Sequence, residues 1–365
     1  MKHRYRNLII TVFILFITIG TIPYALGKTR ESYLTSFIIN NEIASRGFSN
    51  GIDEDNPVSL EATVYALGII KSFGISPQEI EALQTNLENI IQVMFDNKTV
   101  DIYNLYFLLE SLNILEFSIG LNLINNIYSF LNGTEQIGGG FSFSNTSTSI
   151  SLTSTYYVIQ LYRLINKTIE NKTLHKNWVL NCNNSDGGYG GNQTLSSTLV
   201  NTYFAALILD EMGDINALAD VNMTLTYLNS FYVDNPSDLN NFGGYFSDEI
   251  TTHAQLSSTY FCLKAISLIN PDLLYSDPTV RWILDRQNFQ DGGFADDTEG
   301  YDQKSSSVIS TYYAFETLKI LDPSLSTLSM EIWIVEFNYW ILIILLGSIG
   351  LILGIVVYIY RKRRI

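Results

Sequence analysis

Cysteine is nearly absent from the chain: only Cys182 and Cys262 occur in 365 residues. An oxidising compartment would permit one bridge between them, but two cysteines exclude a disulfide-built scaffold. Cys262 lies in SSTYFCLKAI, among helix-core residues, a setting that equally suits a buried free thiol. Basic residues are the second shortage. Of the 21 Lys and Arg, three lie in residues 1–27 and four in 361–365, which leaves 14 to face all 36 Asp and Glu in between, a net charge of −22. Such a surface repels nucleic acid and acidic lipid head groups. It suits cations, basic partners or plain solubility. The third thing missing is any sustained strand pattern, so almost no sheet is expected. What is plentiful is apolar and aromatic: 47% hydrophobic and 13% aromatic residues supply a sizeable core and exclude global disorder.

Both ends read as membrane signals. Residues 1–7, MKHRYRN, are basic, and residues 8–27, LIITVFILFITIGTIPYALG, are uncharged and finish on Ala25-Leu26-Gly27. This is the order of a secretory signal peptide over 1–27, with an uncleaved signal anchor as the alternative. Residues 339–360, YWILIILLGSIGLILGIVVYIY, are also uncharged. As a helix they reach about 33 Å, enough to cross a bilayer core. Tyr339 and Trp340 at one end and Tyr358 and Tyr360 at the other fit aromatic belts. The basic tail 361–365 then belongs in the cytoplasm by the positive-inside rule, and the region between the two segments outside it. The expected location is the cell membrane, single-pass, with residues 28–330 on the extracytoplasmic side. Eight Asn-x-Ser/Thr sites, at Asn97, Asn132, Asn145, Asn166, Asn171, Asn183, Asn192 and Asn222, are compatible with export.

The region between the ends repeats itself. RGFSN (46–50), GGGFSF (138–143), DGGYGG (186–191), FGGYFSD (242–248) and DGGFADD (291–297) are each followed by a polar stretch and then a helix with a shared opening. Those helices are SLEATVYALGIIKSFG (59–74), SLTSTYYVIQLYRLI (151–165), SSTLVNTYFAALILDEMG (196–213), LSSTYFCLKAISLI (256–269) and VISTYYAFETLKIL (308–321). The wide gap between the first two hides a degenerate unit at 94–115, with Phe95 in the aromatic slot and Asn104-Leu105-Tyr106 opening the helix. A second helical stretch precedes each turn; the first, 76–94, opens Ser-Pro-Gln-Glu, with Ser76 as cap and Pro77 at the first helical position. Six helix hairpins either stack as an open solenoid or close on themselves. The helices after the turns are apolar around most of their circumference, which suits burial on all sides. The reading is therefore all-α: an (α/α)6 toroid of six helix-hairpin repeats over 28–330, plus a C-terminal transmembrane helix.

The repeated Asp-Gly-Gly-Phe, polar loop, Ser-Thr-Tyr-Tyr-Ala resembles the repeat of the prenyltransferase β-subunit and terpenoid cyclase superfamily over about residues 30–325. The resemblance implies the toroid; it does not fix an activity. The superfamily's chemistries leave residue signatures, and each is missing. Protein prenyltransferases hold zinc with an Asp-x-Cys pair and a later His. The corresponding slots here read Phe242-Gly243-Gly244, Asp291-Gly292-Gly293, Ser258 and Ser310, while His3, His175 and His253 lie elsewhere. Class II cyclases protonate an alkene from an Asp-x-Asp-Asp run, and Ala295-Asp296-Asp297 lacks its first acid. The Gly-Cys-Gly-Glu-Gln run of the thioester domains does not occur.

Three constellations remain. Asp296 and Asp297 stand out as the only acids of the glycine turns without evident counterparts, and are the candidates for catalysis if any survives. Asp296, Asp297, Glu299 and Asp302 offer oxygens to Ca²⁺ but lack EF-hand spacing; a solvated acidic loop is the competing reading. Tyr65, Tyr106, Tyr156, Tyr203, Tyr260 and Tyr312 form a row, one per repeat, of which Tyr156, Tyr203, Tyr260 and Tyr312 are the foremost candidates to line a ligand pocket; packing is the plain alternative. No cofactor is expected. The function that fits is an outward-facing binding or surface-scaffold module. It is held to the membrane by its C-terminal helix, has a lipid, glycan or protein as ligand and does not bind nucleic acid. The competing class is an enzyme, either a divergent prenyl transferase or terpenoid cyclase, or a carbohydrate-active (α/α)6 enzyme with paired carboxylates.

Overall fold

The structure, a computed structural model, describes residues 27–51, 57–274, 277–303 and 305–332, with seven positions between 347 and 362. Among the described residues no helix is long and apolar enough to cross a membrane. The expected signal segment, apart from Gly27, and most of the expected spanning segment 339–360 lie outside them. The chain divides into two compact units. One comprises residues 1–30 and 329–365; its described secondary structure includes a two-residue antiparallel pairing, Lys28 with Ile332 and Thr29 with Glu331, and helical conformation at the seven positions between 347 and 362. The other, Glu31–Leu328, carries the repeats.

Thirteen helices are described. The outer ones are α1 (Arg30–Asn40), α3 (Ile80–Asp96), α5 (Leu121–Asn132), α7 (Lys172–Leu180), α9 (Val221–Asn229) and α11 (Asp277–Leu284). The inner ones are α2 (Leu60–Ser72), α4 (Ile102–Ile114), α6 (Leu152–Leu164), α8 (Leu199–Glu211), α10 (Leu256–Ile269) and α13 (Val308–Leu321); α12 (Thr298–Asp302) is a single short turn. Each inner helix packs on the next in the order α2, α4, α6, α8, α10, α13, and α13 packs back on α2. The ring is closed, as an (α/α)6 toroid requires. The inner helices bury residues on most sides, α8 from Leu199 through Leu209 almost without a break. Amphipathic outer helices such as α5 bury one stripe, Leu123, Ile127, Phe130 and Leu131.

The shared helix opening has a physical cause. Five inner helices carry a fully buried threonine four residues after the N-cap: Thr63, Thr155, Thr202, Thr259 and Thr311. Its Oγ1 accepts the backbone N–H of the aromatic that follows the glycines: Phe48 (2.9 Å), Phe141 (3.1 Å), Tyr189 (2.9 Å), Tyr245 (3.1 Å) and Phe294 (2.9 Å). In four of them the same hydroxyl donates to the carbonyl of the cap residue, for example Thr311 to Ser307 at 2.6 Å. Each turn is thereby latched to its helix, with the aromatic side chain buried at or near 0% exposure. The degenerate second unit has Leu105 where the threonine would be. Phe95 sits in the last turn of α3, and 97–101 connect α3 to α4 directly, so this unit has no glycine turn.

The glycine pairs are explained by close approach as well as by backbone conformation. The first glycine of each pair has φ between +85° and +97°. A Cβ on Gly292 would lie 2.1 Å from the Tyr33 carbonyl oxygen of α1, and one on Gly243 would lie 2.5 Å from that of Pro278 in α11. Each of the four glycine-pair turns thus rests on the outer helix of the next repeat, and the last of them rests on the first outer helix. One sequence expectation shifts, and one alternative left open is decided. Helix α3 begins at Ile80, after Glu79 at φ 48°, so Ser76 and Pro77 lie in the preceding turn instead of capping. Cys182 and Cys262 are both free and buried, and burial pushes the Cys182 thiol up to about 12.

His175 of α7 is fully buried. Its Nδ1 accepts the Gly140 N–H at 3.0 Å, and its ring stacks on Phe141 at 4.3 Å. The ring is therefore neutral, with its proton on Nε2, 3.4 Å from the Glu135 carboxylate. That distance is too long for a well-made hydrogen bond, so burial outweighs the carboxylate and lowers the histidine's pKa. The stability gained is complete above the unfolded value of 6.5 and is lost as the pH falls below it. Two outcomes are expected. The slope of Tm against pH between about 7.5 and 5.5 flattens in His175→Asn, which keeps an acceptor near Nδ1 but does not titrate. Thr202→Val, isosteric but unable to accept the Tyr189 N–H, loses about 1–3 kcal/mol in urea unfolding, whereas Thr226→Val on the exposed face of α9 loses little.

Candidate functional site

Counting from the N-cap aligns the inner helices. Tyr106, Tyr156, Tyr203, Tyr260 and Tyr312 each lie five residues after their caps Asp101, Ser151, Thr198, Gln255 and Ser307. Tyr65 lies six after Ser59, one step out of the expected row, and Val64 takes the fifth position of α2. The sixth positions are Tyr65, Phe107, Tyr157, Phe204, Phe261 and Tyr313.

The two rows interlock around the axis. The fifth-position ring of one helix meets the sixth-position ring of the next: Tyr106 with Tyr157 (4.8 Å between centroids), Tyr156 with Phe204 (5.3 Å), Tyr203 with Phe261 (4.7 Å), Tyr260 with Tyr313 (5.4 Å) and Tyr312 with Tyr65 (4.0 Å, stacked). At Val64 the circle is completed by Tyr65 against Phe107 at 6.4 Å. Among the described residues, these ring contacts join neighbouring inner helices or neighbours along one helix, and none spans the axis. The aromatics form a wall.

The wall keeps an accessible face. Tyr65, Tyr106, Tyr156, Tyr157, Tyr312 and Tyr313 keep part of their surface accessible, while Leu67, Leu108, Leu161 and Leu263 behind them are at or near 0%. Desolvation raises the pKa of all six phenols. This accessible, desolvated face of the rings, toward the axis, is the candidate lumen. Tyr203 and Tyr260, at 7% exposure each, are more deeply packed, with their hydroxyls hydrogen-bonded together.

The lumen carries charge toward its ends. Near the start of the inner helices, Glu61 on α2 is half-buried; burial raises its pKa, and a hydrogen bond from the Tyr65 hydroxyl partly offsets this. Toward their C-termini lie Glu110, whose pKa burial raises against the pull of Arg163, and two ion pairs, Arg163–Glu211 at 3.7 Å and Lys319–Glu316 at 3.3 Å.

Asp296 and Asp297 occupy helix-end positions. The Asp296 backbone carbonyl accepts the Leu256 N–H at 2.8 Å, and its carboxylate accepts the Ser257 N–H at 3.0 Å and the Ser257 hydroxyl at 3.3 Å. It caps α10, whose own cap residue Gln255 makes no such bond. Asn50, at the same place in the first turn, does this for α13: its carbonyl accepts the Val308 N–H and its Oδ1 the Ile309 N–H. Asp296 therefore has a counterpart, one that the sequence hides because Asn50 follows RGFS instead of a glycine pair. Burial raises the Asp296 pKa, and the Ser257 donors work against that. Asp297 accepts the Gly300 N–H at 2.7 Å and so caps α12.

The four acids weighed for Ca²⁺ do not converge. Among the described residues no three His, Cys, Asp or Glu side chains group to hold a metal ion. Asp296 and Asp297 are directed to separate helix ends, and Glu299 and Asp302 are exposed on α12. A zinc site of the transferase kind likewise lacks its donors, since Asp291 is engaged by the Gly293 N–H and Asn288 within its own turn.

The prenyltransferase alpha-alpha toroid domain matches over residues 76–175, 146–250 and 239–337. The chain belongs to that family. Among solved structures, protein geranylgeranyltransferase-I from Candida albicans, complexed with GGPP, is 18% identical over 77% of this chain and 90% of its own, with a TM-score of 0.59. The type II terpene cyclase MstE from Scytonema, with its product merosterolic acid A, is 11% identical over 80% of this chain and 96% of its own, at 0.54. A protein from Actinoplanes is 12% identical over 80% and 98%, at 0.52. At such identities these likenesses establish the fold alone. No curated protein matches by sequence.

Sequence reasoning missed Glu61 and the sixth-position ring. The second aromatic was visible in TYY and TYF, but nothing in SLEATVY marks Glu61 as facing the axis. The capping role makes a prediction: Asp296→Ala loses about 0.5–2 kcal/mol in urea unfolding. Asp296→Asn, which reproduces the Asn50 arrangement, stays within about 0.5 kcal/mol of the parent.

Proposed function

We propose that this toroid is a membrane-anchored, outward-facing binding module whose lumen takes an apolar ligand. The carrying observation is the closed circle of aromatic rings around a space that remains accessible. Aromatic walls with a few placed polar groups suit apolar ligands with a polar end. Two further features favour binding over transfer of an isoprenyl diphosphate. Among the described residues, none able to hold a catalytic metal come together. Lys71, Arg163 and Lys319 near the C-terminal rim are already paired with Glu116, Glu211 and Glu316, which leaves them less free to hold a diphosphate. The anchor is the apolar segment 339–360, and the signal at 1–27 delivers the toroid to the extracytoplasmic side.

One observation favours an enzyme instead. Glu61 is a carboxyl at the lumen with a raised pKa, and a protonated carboxyl is what proton-initiated cyclisation requires. The two readings part on turnover. The full chain, purified in a non-ionic detergent, is expected to retain an apolar molecule that organic extraction and mass spectrometry detect. Tyr156→Trp, which adds bulk to the lumen wall, is expected to lose it while remaining folded. Metal analysis is expected to find well under one zinc per chain. Stoichiometric zinc, or conversion of a polyprenyl substrate that Glu61→Gln abolishes, overturns the binding reading.

A further inference from the structure

Glu61 stands apart from the other carboxylates that face inward. Glu211 and Glu316 each have a basic partner, and Arg163 acts on Glu110. Among the described residues Glu61 is paired with no Lys, Arg or His; its hydrogen-bond partner is the Tyr65 hydroxyl. A partly buried carboxylate without a cation must protonate or take its counter-charge from outside the chain.

Its surroundings favour one kind of outside charge. Three electron-rich rings from three helices gather near it. Tyr65 hydrogen-bonds it and lies 5.9 Å from Tyr313, centroid to centroid, and the Glu61 charge acts directly on the Tyr157 and Tyr313 phenols. Tyr103 of α4 extends the group, 5.0 Å from Tyr157, toward half-exposed Phe143. All of these rings keep accessible surface or lie at its edge. A metal ion would want several oxygen donors; Asp296 and Asp101 also act on Tyr313 and Tyr103, but both are taken up as caps of α10 and α4, so Glu61 is the carboxylate left free among the aromatic faces. An alkylated ammonium wants the reverse: it is large, weakly hydrated, and attracted to the faces of aromatic rings.

We propose that this mouth of the lumen binds an organic ammonium group, its charge matched by Glu61 and its alkyl substituents set against Tyr65, Tyr157 and Tyr313. The inference rests on the lumen being a ligand site and names the polar end of what it takes. The same head group is carried by free choline and by lipids with an alkylammonium head, and chain-length dependence tells these apart.

The test is isothermal titration calorimetry on the full chain in non-ionic detergent. The probes are choline, hexyltrimethylammonium, and the neutral isosteres 3,3-dimethyl-1-butanol and 1-hexanol. The ammonium probes are expected to bind about 10-fold tighter than their isosteres. Glu61→Gln, of the same shape, is expected to remove that preference while leaving the isosteres unchanged. Tyr157→Phe, which keeps the ring, retains it, and Tyr313→Leu weakens it several-fold. Tighter binding of choline points to a soluble ligand and tighter binding of hexyltrimethylammonium to a lipid; either supports the site. Isosteres that bind as well as the cations, or a preference that survives Glu61→Gln, overturn the ammonium site and leave the lumen reading standing. Failure of every probe overturns both.

Discussion

Five of the six repeats of the toroid depend on the threonine latch. A turn that passes from an outer to an inner helix must bury a large aromatic, and that burial strands the aromatic's backbone N–H away from water. The hydroxyl of Thr63, Thr155, Thr202, Thr259 or Thr311 accepts it, and in four of the five repeats also satisfies a carbonyl of the helix's first turn. One side chain thus fixes the angle between turn and helix and settles two buried polar groups. The glycine pairs before it serve the same geometry, because any side chain there would strike the next outer helix, and in the first turn Gly47 leaves room for Thr63 itself.

Closure follows from repeating that unit, since each turn also reaches sideways. The residue two after the aromatic accepts the first helical N–H of the preceding inner helix in four turns: Asn50 for α13, Phe143 for α4, Gly191 for α6 and Asp296 for α10. The contact from Asn50 to α13 joins the two ends of the repeat array, so the bond that propagates the ring also shuts it. Once shut, the inner helices have a common axis. Their fifth and sixth positions meet there in alternation, and a circle of rings is the outcome. The candidate site is a product of closure and exists in no single repeat.

This explains how far the sequence could be followed. The repeats, their helices and the toroid were legible because latch, glycine pair and aromatic recur in register. Asp296 looked unique because its equivalent in the first turn is an asparagine after RGFS, and the equivalence lies in what the two cap. Tyr65 was placed one position early because the first inner helix puts Val64 where the other five have tyrosine. The N-cap at Ser59 and the stacking on Tyr312 show which position Tyr65 holds.

By itself the sequence determined the fold class, the number of repeats and the absence of the family's metal-binding and acid motifs, because local hydrogen-bonding and packing rules write those into neighbouring residues. The tertiary structure alone decided which side chains share the lumen. Glu61 and Tyr157 are separated by almost a hundred residues and lie on helices that are not neighbours in the ring. Glu61 becomes a carboxylate among phenols only when α13 packs back on α2.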